Sequence, residues 1–154
     1  MRRGKSPIPA FDRVMRRVVV DADTGCWLFT GSTNAGGYGQ IELPPENGHR
    51  RGTTTHRVVY ETLVGPVPSG LELDHVRERG CRHRHCCNPA HLEPVTSREN
   101  TLRGDGPAAQ RARQTHCKRG HDLNDPTVAY RNRHGQRVCR WCRNIRKGIW
   151  SWEP

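Results

Sequence analysis

Six of the seven cysteines divide into two sets, each completed by a histidine, and that division constrains the fold more than any other feature of the chain. The first set is Cys81, Cys86 and His91, spaced C-x4-C-x4-H. It needs a fourth ligand, and Cys26 is the only cysteine in the first 80 residues. The second set is Cys117, His121, Cys139 and Cys142, with C-x3-H at one end and C-x2-C at the other. Zinc takes thiolate and imidazole in fours, so each set predicts one structural Zn2+. The first would tie the segment at Cys26 to a loop more than fifty residues away. Cys87 is left over; being adjacent, it is an alternative to Cys86.

Metal is needed because apolar residues are scarce. Leu, Ile, Val and Phe total 26 of 154 residues, about 17%, below the roughly 20% under which a highly charged chain tends to stay unfolded. A small protein with so thin a core relies on covalent or metal staples. No apolar run approaches transmembrane length, and the opening MRRGKSPIPA lacks the apolar stretch of a signal peptide. A reducing, cytoplasmic setting is expected, where clustered cysteines bind metal rather than form disulfides.

The net charge is +11, and 23 of the 26 basic residues are arginine. A partner must be acidic, and the planar guanidinium suits bidentate phosphate contacts, so nucleic acid is the expected partner and a membrane is not.

Along the chain, residues 7–20 place Phe11, Val14, Met15 and Val18 on one side at helical spacing, which predicts an amphipathic helix. CWLFTG and GYGQIEL read as two strands joined by the turn STNAGG. THRVVYETLVGP predicts a helix with Thr55 as N-cap and Gly65 just past its end. LELDHV and LEPV read as strands on either side of the cysteine-rich loop. In TSREN, Thr96 and Glu99 form a capping box, which places Asn100 in the first turn of a helix. Residues 105–115 read as a linker, and 116–154 as a zinc finger with a basic tail.

Sorting the remaining ligands by hardness leaves Asp74, His75 and Asn100. Asp74 and Asn100 offer oxygens suited to Mg2+ or another hard divalent ion, and His75 titrates near neutral pH. If the strand carrying Asp74 packs beside the helix carrying Asn100, the two hold one ion while His75 takes a proton from water.

At this point the residues resemble the phage-type HNH endonucleases of the ββα-metal superfamily. The resemblance is carried by Cys26-Trp27, Gly37-Tyr38-Gly39, His56-Arg57, Asp74-His75, Cys81, Cys86, Asn88-Pro89, His91-Leu92-Glu93, Val95-Thr96 and Glu99-Asn100. It spans residues 26–104, with an N-terminal helical segment at 1–25. The C-x4-C-x4-H spacing is also similar to that of the His-Cys box homing endonucleases. The resemblance implies an α+β, zinc-stapled ββα-metal domain. It also implies His75 as general base, Asp74 and Asn100 as Mg2+ ligands, and 5′-phosphate and 3′-hydroxyl products. His91 stands where many HNH proteins have the middle asparagine, and Asn100 where they have the last histidine. The finger at 116–154 resembles one often appended to phage HNH proteins.

The expected function is therefore a metal-dependent DNA endonuclease, acting in a host cell if phage-encoded, as monomer or homodimer. One catalytic centre predicts one nick per binding event, so double-strand cleavage needs a dimer or two encounters. Arg57, near the start of its helix, is a candidate phosphate clamp. The alternative is a non-catalytic zinc-containing protein that binds DNA or RNA, in which Asp74, His75 and Asn100 are incidental.

Overall fold

The computed structural model describes residues 8–47 and 49–150. The fold is mixed α+β, and the chain divides into two compact units, residues 1–100 and 101–154. Among the described residues all strands pair in twos, giving four antiparallel ribbons and no wider sheet.

The first unit opens with α1 (Ala10–Met15), followed by β1 (Val18–Val20). The helix expected over 7–20 therefore stops at Met15, and residues 1–7 lie outside the described residues. Three consecutive β-branched valines favour an extended chain, and they pair with β2 (Trp27–Phe29). The hairpin expected between CWLFTG and GYGQIEL is likewise replaced. β3 (Gln40–Glu46) pairs instead with β4 (His49–Thr54), a strand that polar, glycine-containing HRRGTT did not announce. The cap of α2 (Thr55–Leu63) is Thr54 rather than Thr55, and it makes no side-chain capping bond. Thr55 is instead fully buried, and a Cβ at Gly39 would overlap its hydroxyl, so only glycine fits there.

The core is as small as the composition implies. Val14, Phe29, Ile41, Val59 and Cys87 form its buried cluster, flanked by Phe11, Met15, Val18, Trp27 and Val58.

The last part of the unit is a ββα arrangement. β5 (Leu71–His75) pairs antiparallel with β6 (Leu92–Thr96), and β6 runs directly into α3 (Ser97–Arg103). The capping box is present: Thr96 N donates to Glu99 Oε2 at 3.0 Å, and Glu99 N donates to Thr96 Oγ1 at 3.2 Å. Such a cap contributes about 0.5–2 kcal/mol and fixes where the helix starts.

In the second unit, α4 (Pro107–Arg113) occupies most of the stretch read as a linker. Pro107 at the first helical turn and Ala109, fully buried, explain why a glycine-punctuated segment still forms a helix. β7 (Ala129–Arg131) pairs with β8 (Arg137–Cys139), which leads into α5 (Arg140–Arg146). Arg137, on β8, ties to the C-terminal end of α4, its Nη2 donating to the carbonyls of Ala112 at 2.7 Å and Gln114 at 2.6 Å.

Candidate metal centres and active site

Two groups of four side chains converge. The ligand atoms of Cys26, Cys81, Cys86 and His91 all lie within 4.8 Å of one another and are buried; those of Cys117, His121, Cys139 and Cys142 meet the same limit. Tetrahedral zinc with Zn–S near 2.3 Å and Zn–N near 2.05 Å requires about 3.8 Å between sulfurs and about 3.6 Å between sulfur and nitrogen. In the first group His91 Nδ1 lies 3.5 Å from Cys26 Sγ and 3.7 Å from Cys86 Sγ. In the second, His121 Nδ1 lies 3.3–3.5 Å from the three sulfurs, and Cys117 Sγ lies 3.7 Å from Cys142 Sγ. Both groups fit a zinc ion. The contact between Cys81 and Cys86 lowers the pKa of the first and, with burial, raises that of the second, so a bound cation is what would let both ionise together.

The choice between Cys86 and Cys87 falls to the former. Cys87 Sγ turns away to donate to the Trp27 carbonyl at 3.3 Å, and burial raises its pKa to about 12. It packs in the core as a small apolar group.

The first group folds the long β5–β6 connection onto β2. Cys87 N donates to Trp27 O at 2.8 Å, Phe29 N to His85 O at 3.1 Å, and Asn88 Nδ2 to Gly25 O at 2.8 Å. Gly25 takes a positive φ of 68°, with His91 beside it, at the turn that delivers Cys26.

This loop also carries a carbonyl to His75. His75 Nε2 lies 2.9 Å from the Cys86 carbonyl oxygen. A carbonyl only accepts, so Nε2 bears the proton and Nδ1 keeps its lone pair. Burial holds the His75 pKa below the usual imidazole value, against the opposing effects of the Cys86 carbonyl and Asp74. The ring is therefore neutral at physiological pH, with one nitrogen fixed and the other a base.

Asp74 and Asn100 are related through Glu72. Asn100 Nδ2 donates to Glu72 Oε2 at 3.0 Å, which ties the first turn of α3 to β5. Side chains alternate along a strand, so Glu72 and Asp74 share a face and His75 leaves on the other. With its amide nitrogen engaged, Asn100 retains its oxygen for a hard cation. Arg57 is exposed, with Nε 2.8 Å from Glu61 Oε1, so a phosphate would compete with that carboxylate.

Two site residues were visible in the sequence only as parts of GYG and HR. Tyr38, His56 and His75 form a ring triad, with centroids 5.6 Å apart for Tyr38–His56, 5.8 Å for Tyr38–His75 and 5.0 Å for His56–His75. His56 is buried, with Nε2 3.2 Å from Thr54 Oγ1 and Nδ1 without a hydrogen-bond partner. Burial, then His75 and Arg57, push its pKa down to about 3. The unfolded chain, with a pKa of about 6.5, binds that proton first. The stability His56 contributes is thus complete above pH 6.5 and is lost as pH falls toward 3, by up to about 1.4 kcal/mol per unit. Urea unfolding at pH 7 and pH 5 should show the parent losing about 2 kcal/mol more than His56→Gln, since both lose zinc-ligand contributions alike. Equal losses would contradict a buried neutral imidazole.

A ββα ribbon and helix bearing Asp-His and Asn, stapled by Cys3His, defines the class: the chain belongs to the HNH endonuclease family, whose members are metal-dependent nucleases. The family model for HNH endonuclease matches residues 54–102. Among curated proteins the chain is 32% identical over 82 residues to the "uncharacterized gene 5.3 protein" of Enterobacteria phage T3, covering 52% of this chain and 77% of that protein. It is 32% identical over 91 residues to "Protein 2.8" of Escherichia phage T7 and 36% over 76 residues to that phage's "Protein 7.7". The matched regions cover 55% and 52% of those two proteins, about half their length. No solved structure gives a significant match. Among the described residues, no helix is long and apolar enough to cross a membrane.

Proposed function

We propose that the chain is a DNA endonuclease that hydrolyses one phosphodiester per encounter, with His75 as general base and Asp74 and Asn100 as the protein ligands of one Mg2+. Both Cys3His groups hold structural zinc. The observation that carries the reading is the 2.9 Å bond from His75 Nε2 to the Cys86 carbonyl, because it leaves a neutral, oriented Nδ1 with no other assigned task. Nδ1 takes the proton of a water as its oxygen attacks phosphorus. The bond to the 3′-oxygen breaks and the departing alkoxide takes a proton from solvent water, leaving 5′-phosphate and 3′-hydroxyl ends. A hard divalent ion supplies electrostatic relief for the charge that develops on the leaving oxygen. Asn100 and Asp74 orient it from opposite elements, α3 and β5. Arg57, released from Glu61, supplies an outer phosphate contact. The phage relatives support a role in an infected cell, and the active species is a monomer or homodimer.

A plasmid-nicking assay with Mg2+ titrated tests the ligand assignment. Asn100→Ala should raise the Mg2+ concentration for half-maximal nicking by about 10-fold or more, in the range for loss of a metal-orienting partner. Glu72→Gln, which keeps a hydrogen-bond acceptor for the Asn100 amide, should change it far less. An unchanged Mg2+ requirement in Asn100→Ala would remove Asn100 from the metal site. Absence of nicking by the parent at any Mg2+ concentration would leave the non-catalytic binder as the better reading.

A further inference from the structure

The positive charge is not shared evenly. Residues 1–100 carry 14 basic and 11 acidic side chains, a net +3, whereas residues 101–154 carry 12 and 4, a net +8. In the second unit a cleft of about 1070 Å3 is lined by Lys118, Arg119, Arg131, Arg133, Arg143 and Arg146, and none of the described residues lining it is acidic. Tyr130 lines it too, and its hydroxyl has no hydrogen-bond partner. The helix that supplies Arg143 and Arg146, α5, also carries Trp141, which is 47% exposed. Trp150 is 43% exposed and meets Trp141 edge to face at 5.3 Å between ring centroids, while Trp141 lies 5.8 Å from the ring of the metal-group residue His121. Trp150 thus packs against the helix of the finger, yet nearly half of each residue stays in solvent.

We propose that this unit is a binding site for single-stranded DNA, the basic cleft taking the phosphates and Trp141 and Trp150 stacking on unpaired bases. The argument is one of complementarity. A polyanion is the occupant that a cleft lined by Lys118 and six arginines, with no acid among its described lining residues, selects. Two exposed indoles, one on the helix that lines the cleft and one packed on the first, add something a duplex cannot use, because each paired base already has both faces covered by its neighbours. An unpaired strand has free faces, and stacking on an aromatic ring is sequence-tolerant. The inference takes only the nucleic-acid partner from the nuclease reading; it does not depend on which residue is the base.

The test uses the full zinc-loaded chain carrying His75→Ala, without Mg2+, and an oligo-dT of about 15 nucleotides, within the span of known single-strand sites. Oligo-dT should quench tryptophan fluorescence and bind more tightly than a blunt duplex hairpin of equal charge. Trp141→Ala and Trp150→Ala should each weaken oligo-dT binding by about 5- to 150-fold. The slope of affinity with salt should stay unchanged, since every cation remains. Trp150→Ala lies beyond α5 and guards against a folding defect at Trp141; Trp141→Phe should retain most of the affinity. Parent-like affinity in both alanine variants, or equal affinity of the parent for the hairpin, would overturn the proposal. Tighter binding of oligo-U than oligo-dT would overturn the assignment to DNA. Failure of the nuclease reading shows elsewhere, as absence of nicking by the parent with Mg2+, so the two outcomes are separable.

Discussion

Replacing His75 by alanine is expected to lower the rate of plasmid nicking by about 10² to 10⁴-fold, the usual contribution of a positioned general base. The loss should fall on turnover rather than on DNA affinity, because the role proposed for His75 is toward the attacking water and a neutral ring offers a phosphate no charge. The size of the effect follows from how little else can replace the group. Its Nε2 donates to the Cys86 carbonyl, and burial lowers the pKa of the ring, so the proposed base has its Nδ1 lone pair available at neutral pH. Alanine leaves a gap beside Tyr38 and His56, so His75→Gln serves as a companion: it fills most of the volume and can still donate to Cys86, yet it cannot take a proton at neutral pH. Both variants should retain two zincs per chain. If either cuts as well as the parent, His75 is not the base and the mechanism must be abandoned.

Cys86→Ser should have a still broader effect: loss of one of two zincs per chain, loss of cooperative unfolding in residues 1–100, and no nicking at any Mg2+ concentration. The magnitude rests on a comparison. Structural zinc contributes an apparent binding free energy of about 10–16 kcal/mol to small domains, as large as the 5–15 kcal/mol net stability of an ordinary domain. Here the competing source of stability is a five-residue buried cluster, so little would hold the β5–β6 connection once the metal is gone. Cys142→Ser offers the contrast, since it removes the other zinc and should leave the first unit folded and catalytic. Metal analysis, denaturant unfolding followed by circular dichroism, and nicking of the same preparations give the readouts. A Cys86→Ser chain with one zinc that still folds and nicks would remove the first metal group from the account.

The parts of this structure that the sequence discloses are those governed by short spacings. The cysteine and histidine intervals gave both metal groups, and T-x-x-E gave the start of α3 to the residue, since a capping box is a local hydrogen-bond pattern. β5 and β6 were visible as alternating or bounded apolar runs. What the sequence hid depends on partners far along the chain. Val18–Val20 continues a helical pattern and becomes a strand only because Trp27–Phe29 lies beside it. HRRGTT has no apolar face to advertise a strand, and is one because β3 supplies its hydrogen bonds. His56 and Tyr38 are ordinary polar residues until packing brings their rings to His75. Cys86 and Cys87 cannot be told apart by position, and the Trp27 carbonyl that takes Cys87 is 60 residues away.

Cys86 reaches in two directions, its sulfur toward the metal group and its carbonyl toward His75. That double use bears on which ligands are interchangeable. Zinc itself accepts imidazole in place of thiolate, so by coordination alone Cys86→His would be conservative. The imidazole arm is longer, however, and to keep the ion it must push the main chain away from it, carrying the carbonyl off the imidazole it orients. Position 86 is thus pinned by length as well as by chemistry, and the short thiolate arm satisfies both.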